Sequence, residues 1–179
     1  MRIISGKFKS RLIKSPSNDY YVRPTTDRAR ETLFNILYNK FDFSDTVCFD
    51  LFCGTGSFGI ECISRGAGKV YFVDKDIKLA KENIGKLNSE DYSVIFRSDA
   101  VMFLKNSMEI KADIVFADPP YSYGHYSDLL KAVSVFKTIF ILEHSENLSI
   151  SEEYKKYLYL QKKIGITYFS FYDFNKEQL

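Results

Sequence analysis

A glycine-rich turn between two apolar segments places the strongest constraint on how this chain folds. Residues 48–59 read Cys-Phe-Asp-Leu-Phe-Cys-Gly-Thr-Gly-Ser-Phe-Gly, so a short apolar run reaches Asp50 before the glycines Gly54, Gly56 and Gly59. Glycine lets the backbone turn sharply and approach a ligand closely because it has no Cβ atom. The pattern predicts a strand, a tight turn and a helix N-terminus that together form a cradle for a small polar ligand.

The spacing of these glycines also matches the fingerprint of dinucleotide-binding proteins, so an NAD-dependent oxidoreductase is one interpretation. Asp50 disfavours it, because a carboxylate four residues before the first glycine would repel a pyrophosphate and attract an ammonium group. A second motif follows an apolar run further along the chain and reads Asp118-Pro119-Pro120-Tyr121. Together the two motifs resemble those of S-adenosylmethionine (SAM) dependent methyltransferases that act on exocyclic amino groups of nucleobases.

Length and composition favour one globular domain, residues 1–179. The chain is 45% hydrophobic and 27% charged, and no apolar run approaches the ~20 residues of a membrane span. No apolar stretch of signal-peptide length stands at the N-terminus, which favours a cytoplasmic protein. The cysteines, Cys48, Cys53 and Cys62, never have Cys-x-x-Cys spacing, and there are two histidines. We therefore expect neither a disulfide framework nor a metal site.

The charge is distributed unevenly along the chain. Residues 1–30 hold eight Lys and Arg against two Asp, a balance of +6, whereas the remainder holds 17 basic and 21 acidic residues. This asymmetry favours a polyanionic partner for the N-terminal region, although a solvated surface hairpin would give the same pattern. We predict a basic extension over residues 1–25 and a catalytic core over residues 26–179.

Local patterns predict the order of the elements. The N-terminus is expected to form a small β-hairpin that turns at Gly6. Thr26 or Asp27 is expected to cap the helix that follows, because apolar residues then recur at helical spacing. Arg28 and Arg30 are predicted to fall away from most of these apolar positions and to stay available to a partner.

From residue 46 the pattern alternates between strands and helices. The predicted strands cover residues 47–50, 69–74, 93–98, 113–118, 138–143, 158–163 and 166–174. The predicted helices cover residues 57–65, 77–87, 100–106 and 126–136. Such alternation indicates an α/β fold with a mostly parallel sheet, and the last two strands, joined at Gly165, predict a closing antiparallel hairpin. This seven-stranded arrangement resembles the Rossmann-like fold of class I SAM-dependent methyltransferases.

Four acidic residues follow the first four predicted strands: Asp50, Asp74, Asp99 and Asp118. Ligands of open α/β sheets bind outside the carboxyl ends of the strands, so we expect these carboxylates to share one site. Asp99 has a second interpretation as a helix N-cap, because Ser-Asp-Ala before a helix is good capping chemistry.

The Asp-Pro-Pro-Tyr motif carries the chemistry that an amine acceptor needs. The exocyclic amine of a base is a poor nucleophile because its lone pair is delocalised into the ring. The Asp118 carboxylate and the Pro119 carbonyl can both accept from its N–H groups, and the two prolines stiffen the loop that holds them. Tyr121 offers a face on which the base can stack. A target base within a duplex must be flipped out or unpaired to reach this loop.

Longer stretches of the sequence are similar to the bacterial RsmD family. The resemblance is carried by the opening residues 2–9, by residues 23–35, which begin Arg-Pro-Thr-Thr-Asp-Arg, by residues 50–56 and 64–67, and by the Asp-Pro-Pro-Tyr motif. It implies SAM-dependent methylation of N2 of a guanine in 16S ribosomal RNA of the small subunit, by an enzyme that needs no metal. A monomer is the simplest expectation.

The resemblance also implies which residues meet each ligand. The expected catalytic residues are Asp118, Pro119, Pro120 and Tyr121. The expected cofactor-binding residues are Asp50, Phe52, Gly54, Thr55, Gly56, Asp74, Lys75, Asp99 and Ala100. The expected RNA-binding residues are Arg2, Lys7, Lys9, Arg11, Arg23, Thr25, Arg28 and Arg30. Among the cofactor residues, Asp50 and the glycine loop are assigned to the methionine part of SAM, Asp74 to the ribose and Asp99 to the adenine.

Two alternatives stay open at this point. Tyr at position 121 is usual in DNA adenine-N6 methyltransferases, although those enzymes generally carry an added target-recognition region that this chain lacks. The other alternative is a non-catalytic RNA-binding assembly factor. The intact Asp-Pro-Pro-Tyr motif argues against it, because a protein freed from catalysis has no need for those acceptors.

Overall fold

A seven-stranded sheet forms the centre of the structure, a computed structural model that describes residues 1–16, 27–145, 148 and 151–175. In chain order the strands are β1 Val47–Leu51, β2 Lys69–Asp74, β3 Ser93–Arg97, β4 Ile114–Ala117, β5 Ile139–His144, β6 Leu158–Ile164 and β7 Thr167–Asp173. They lie side by side in the order β3-β2-β1-β4-β5-β7-β6. Strand β7 runs antiparallel to β5 and β6, and the other pairs are parallel. The predicted fold class is confirmed.

Helices cover both faces of this sheet. They are α1 Asp27–Tyr38, α2 Ser57–Ser64, α3 Lys78–Leu87, α4 Ala100–Asn106, α5 Tyr126–Val133 and α6 Glu152–Lys155. Apolar side chains of α1, α2 and α3 form one buried cluster with one face of the sheet, and those of α4, α5 and α6 form a second cluster with the other face. The predicted strands and helices from residue 46 onward are present with ends that differ by at most three residues, and the short helix α6 was not predicted. No helix in the described ranges is long and apolar enough to cross a membrane.

The N-terminal segment, residues 1–16, runs antiparallel but is not the regular hairpin expected. A single bridge pairs Arg2 with Leu12, and a 3-10 helix, Gly6–Phe8, occupies the turn. The reason is competition for hydrogen bonds by α2. The backbone N–H groups of Ile4 and Ser5 donate to the Glu61 carboxylate at 2.8 and 3.0 Å, so they are not available to a partner strand.

The turn of the N-terminal segment packs closely on the last residue of α2. The Phe8 N–H donates to Ser64 Oγ at 2.9 Å, and the Ser64 hydroxyl donates in turn to the Ser5 carbonyl. Gly6 has a φ of +78°, and a Cβ atom at this position would lie 1.7 Å from the Ser64 carbonyl oxygen. A glycine is therefore required here both by the backbone conformation and by the close approach.

Candidate active site

A cleft of about 610 Å³ opens at the carboxyl ends of β1, β2, β4 and β5. The strand order reverses at β1, which lies between β2 and β4, so the cleft is at the topological switch point where α/β sheets bind ligands. Most of the side chains predicted for the cofactor and for catalysis line this one cleft: Phe52, Gly54, Thr55, Asp74, Lys75, Asp99, Ala100, Asp118, Pro119, Pro120 and Tyr121.

The glycine loop between β1 and α2 forms one wall. Phe52, Gly54 and Gly56 all have positive φ, at +58°, +50° and +75°, and Gly56 is the N-cap of α2. The end of β2 supports the loop, because Asp74 Oδ2 accepts a hydrogen bond from the Gly54 N–H at 2.8 Å. Gly56, which was predicted to bind the cofactor, does not line the large cleft. It turns the chain into α2.

Asp50 lies beneath the loop rather than on the wall of the large cleft. Its side chain is buried, and Oδ2 accepts a hydrogen bond from the Gly59 N–H at 2.9 Å. Burial, with a smaller effect of the Asp74 carboxylate, raises the pKa of Asp50 to about 8, although the Gly59 hydrogen bond opposes the change. The assignment of Asp50 to the methionine part of the cofactor stays a prediction: Oδ2 supports the first turn of α2, and the side chain also lines a small cavity beside Asp118.

Asp99 has both of the features that the sequence suggested. It is the N-cap of α4, with Oδ1 accepting from the N–H groups of Val101 and Met102 at 3.0 and 3.3 Å, and it also lines the cleft. Its Oδ2 lies 3.3 Å from Lys75 Nζ. Burial opposes ionisation of Asp99, but the helix N–H groups and the Lys75 ammonium outweigh it and lower the pKa.

Three carboxyl groups lie near one another at the base of the cleft. Alternation along the strands turns Asp50, Asp118 and Glu143 toward the face that carries α1 and α2. Burial, followed by the carboxylates of Glu143 and Asp50, raises the pKa of Asp118 well above its usual range. A cation placed beside this cluster would favour the ionised form of Asp118, which is the form that can accept an N–H proton.

Glu143 was not predicted as a site residue. It is 7% exposed, lies near the end of β5 and contributes to the wall of the cleft. Glu143 is an acid at the end of the fifth predicted strand, so its position at the carboxyl end of a parallel strand could have identified it from the sequence.

The Asp-Pro-Pro-Tyr loop follows β4 and faces the glycine loop across the cleft. Pro119 is buried, whereas the Tyr121 side chain is 61% exposed and presents its ring at the cleft. The loop closes in a tight turn through a 2.7 Å hydrogen bond from the Tyr123 N–H to the Pro120 carbonyl. The Tyr123 ring then packs edge-on against Phe52 of the glycine loop, with centroids 5.1 Å apart. The segment that follows the Asp-Pro-Pro-Tyr motif is thus in direct contact with the glycine loop.

The prediction that Arg30 remains available to RNA is wrong. Arg30 is 3% exposed, and Nη2 donates to the Arg2 carbonyl at 2.6 Å and to Asp27 Oδ1 at 2.7 Å. Its side chain lines a cavity of about 30 Å³, large enough for a water molecule, together with Asp50 and Asp118. Arg28, the neighbouring basic residue, is exposed as expected.

Two other basic residues predicted to contact RNA, Lys7 and Arg11, are exposed but make their contacts away from the cleft. Lys7 Nζ is 3.5 Å from the ring centroid of Tyr92, and the Arg11 guanidinium donates to the Lys86 carbonyl at 3.1 Å. Both contacts are near the C-terminal ends of α2 and α3. Helix α2 begins at the glycine loop and is ~12 Å long, so its C-terminal end is about that far from the cleft. Arg2 and Lys9 are exposed on the same segment, whereas the predicted contacts Arg23 and Thr25 lie outside the described residues.

Comparison with known proteins places these features in one family. The family model "Conserved hypothetical protein 95" matches residues 1–173. The YlbH protein of Bacillus subtilis is 32% identical over 85% of this chain and 86% of its own length. Ribosomal RNA small subunit methyltransferase D of Buchnera aphidicola subsp. Acyrthosiphon pisum is 39% identical over 80% of this chain and 70% of its own. The solved structure of the Escherichia coli protein yhhF superposes with a TM-score of 0.80 at 27% identity, covering 97% of both chains. The chain belongs to the RsmD family.

Proposed function

We propose that this protein transfers a methyl group from SAM to the exocyclic N2 amine of a guanine in 16S ribosomal RNA of the small subunit. The observation that carries the proposal is the placement of the Asp118–Tyr121 loop and the glycine loop on facing walls of one cleft. Its relatives named ribosomal RNA small subunit methyltransferase D support the rRNA substrate. The guanine N2 atom rests on the sequence resemblance alone. We further propose a cytoplasmic monomer, as expected for the simplest enzyme of this kind.

The shape and charge of the cleft fit SAM. Both Asp74 oxygens already accept backbone N–H groups, from Gly54 and Asp76, which leaves lone pairs directed to ligand hydroxyls. Asp99 and Ala100 lie at the far end, where a carboxylate can accept from the adenine amine. The sulfonium cation is favoured by the Asp118 and Glu143 carboxyl groups. When bound, SAM supplies a methyl group on a good leaving group.

The residues of the Asp-Pro-Pro-Tyr loop then prepare the acceptor. Tyr121 stacks on the base, and the Asp118 carboxylate and Pro119 carbonyl accept from its amine N–H groups. These acceptors favour a pyramidal nitrogen whose lone pair is free to form the N–C bond while the C–S bond breaks. Burial raises the pKa of Asp118 and the SAM cation beside it favours the carboxylate form, which can then take the proton that the nitrogen loses. The loop positions these groups before the substrate arrives, so little reorganisation is needed.

The decisive experiment measures transfer of labelled methyl from SAM to naked 16S RNA, to unmethylated small subunits and to duplex DNA, followed by nucleoside analysis. We expect N2-methylguanosine from an RNA substrate, and the ratio between RNA and subunits will show when in assembly the enzyme acts. N6-methyladenine from DNA would establish the alternative that Tyr121 suggests. SAM binding without any product would identify a non-catalytic assembly factor.

We also propose that the basic surface of the N-terminal segment binds the RNA backbone. Changing Lys7, Lys9 and Arg11 together to Ala is expected to weaken RNA binding and to reduce the slope of log K against log salt by about 2, since each phosphate contact contributes ~0.7–0.9. The measurement is a salt titration of RNA affinity. A matched variant removes three exposed lysines from other parts of the surface, Lys105, Lys111 and Lys131. Equal slopes for the two variants would refute a specific role of the segment.

A further inference from the structure

The Asn83 side chain joins the N-terminal segment to the glycine loop. It is fully buried on α3, and its Nδ2 donates to the Thr55 carbonyl at 2.9 Å and to the Lys14 carbonyl at 3.0 Å. Its Oδ1 accepts from the Lys14 N–H at 2.7 Å. One side chain therefore contacts the backbones of two segments that are about 40 residues apart in the chain.

An amide is the group that these contacts require. Two carbonyls need a donor and one N–H needs an acceptor, and Asn provides both from a single planar group. Apolar residues of the same helix, Ala80, Ile84 and Leu87, are buried beside it. In such surroundings an unpaired polar group is costly, so the loss of one partner of Asn83 penalises the remaining ones.

On the loop side, Asn83 holds the residue that forms part of the cleft wall. Thr55 lies between the two glycines with positive φ and lines the cleft. The neighbouring parts of the loop are held by Asp74, through Gly54, and by Asp50, through Gly59. Those two supports come from the strands of the core, whereas the support at Thr55 also depends on the N-terminal segment.

On the other side, Asn83 holds the end of the N-terminal segment where it reaches the cleft. Lys14 is followed by Ser15 and Pro16, and Pro16 lines the cleft with Met1. The same segment is held at its opposite end by Glu61 and Ser64, which make no contact with the glycine loop among the hydrogen bonds of the described residues. The segment is thus attached next to the cofactor cleft through Asn83 and also at points distant from it, which include the bonds of Arg11 and Leu12 with Lys86 of α3.

We propose that Asn83 is a positioning residue that couples docking of the N-terminal segment to the conformation of the cofactor loop. Docking of residues 1–16 then strengthens cofactor binding, and cofactor binding holds the segment against α3 by the same factor, because coupling between two sites is reciprocal. The inference rests on the proposed function in taking SAM as the ligand of the cleft. It makes the proposed RNA-binding segment sensitive to whether the cofactor is present.

The test uses S-adenosylhomocysteine affinity, measured by calorimetry on the full chain. Asn83→Asp keeps the shape and the acceptor but loses both donors, and we expect it to weaken binding about 5- to 150-fold. Lys14→Pro removes the N–H that reaches Asn83, fixes φ and removes the Lys side chain, and it should weaken binding although Lys14 is not in the cleft wall. Lys14→Ala is the matched control. It loses the ion pair with Glu82 but retains the backbone contacts, so affinity should stay within about twofold of the wild type.

Hydrogen exchange of residues 1–16 provides the second readout. In the wild-type protein, S-adenosylhomocysteine should slow exchange of the Lys14 N–H, and Asn83→Asp should abolish this effect. Two results would overturn the inference: unchanged affinity of folded Asn83→Asp, or a Lys14→Pro variant whose segment exchanges freely while it binds as tightly as Lys14→Ala. If Asn83→Asp does not fold, the comparison of S-adenosylhomocysteine affinity between Lys14→Pro and Lys14→Ala tests the inference. If the segment of Lys14→Pro stays docked, the affinity of Asn83→Asp tests it. Failure of the wild-type protein to bind would instead refute the proposed function.

Discussion

Replacement of Asp118 by Ala is expected to reduce the rate of methyl transfer by at least about 10²–10³-fold. In contrast, SAM affinity should change by no more than ~1–2 kcal/mol. The carboxyl group lies on the cleft wall near Glu143, and the proposed mechanism gives it the amine of the substrate as its main partner. An interaction that strengthens as the nitrogen becomes pyramidal acts on the transition state, so its loss lowers kcat more than it weakens binding.

The measurement is single-turnover transfer with saturating SAM, together with calorimetric SAM affinity for the same protein. Asp118→Asn serves as the matched variant, because it keeps one acceptor oxygen and the side-chain volume but cannot take a proton. We expect its rate to lie between those of the wild-type and Ala proteins. If affinity and rate fell by equal factors, Asp118 would belong to the cofactor site instead.

The second large effect concerns stability against pH in the cofactor-free protein. The pKa of Asp50 is raised from 3.8 to about 8 by burial, so the folded state keeps a proton that the unfolded state loses between these two values. The free energy of unfolding should therefore fall as pH rises from about 4 to about 8 and become level above that range. At about 1.4 kcal/mol for each pKa unit, the contribution of this one group is on the order of several kcal/mol.

Urea unfolding of the wild-type and Asp50→Asn proteins at intervals between pH 4 and pH 8 measures this contribution. The Asn amide oxygen can still accept from the Gly59 N–H, and it does not ionise, so the variant should lose the part of the pH dependence that belongs to Asp50 and keep the part that belongs to Asp118. Asp91→Asn, at an exposed position, is the control and should follow the wild-type curve. Parallel curves for the wild-type and Asp50→Asn proteins would show that Asp50 ionises freely in the folded state.

Local patterns in the sequence were sufficient for the fold and for most of the cleft. Alternating strand and helix periodicities predicted the parallel sheet, and a parallel sheet brings the carboxyl ends of its strands to one edge. Acids and glycines at those ends, including Asp74 and Asp118, were therefore predicted to meet, and they do. This part succeeds because the spacing of apolar residues decides which face is buried, and the sheet geometry does the rest.

The spacing of apolar residues would also have predicted the burial of Arg30, which was instead expected to be exposed. It precedes Leu33, Phe34 and Leu37 by three, four and seven residues, which is the spacing of the buried face of α1. Its charge argued for exposure, and only the tertiary structure supplies the Arg2 carbonyl that makes burial tolerable.

The hydrogen-bonding partners of the N-terminal segment were decided by the tertiary structure alone. Alternating residues predicted a hairpin, but Glu61 and Ser64 of α2 take the backbone N–H groups that a second strand would have used. Asn83 in α3 likewise has no local signal for its contacts with Lys14 and Thr55. Periodicity reports burial relative to one element, whereas these bonds join segments 28 to 69 residues apart and arise only when packing has brought those segments together.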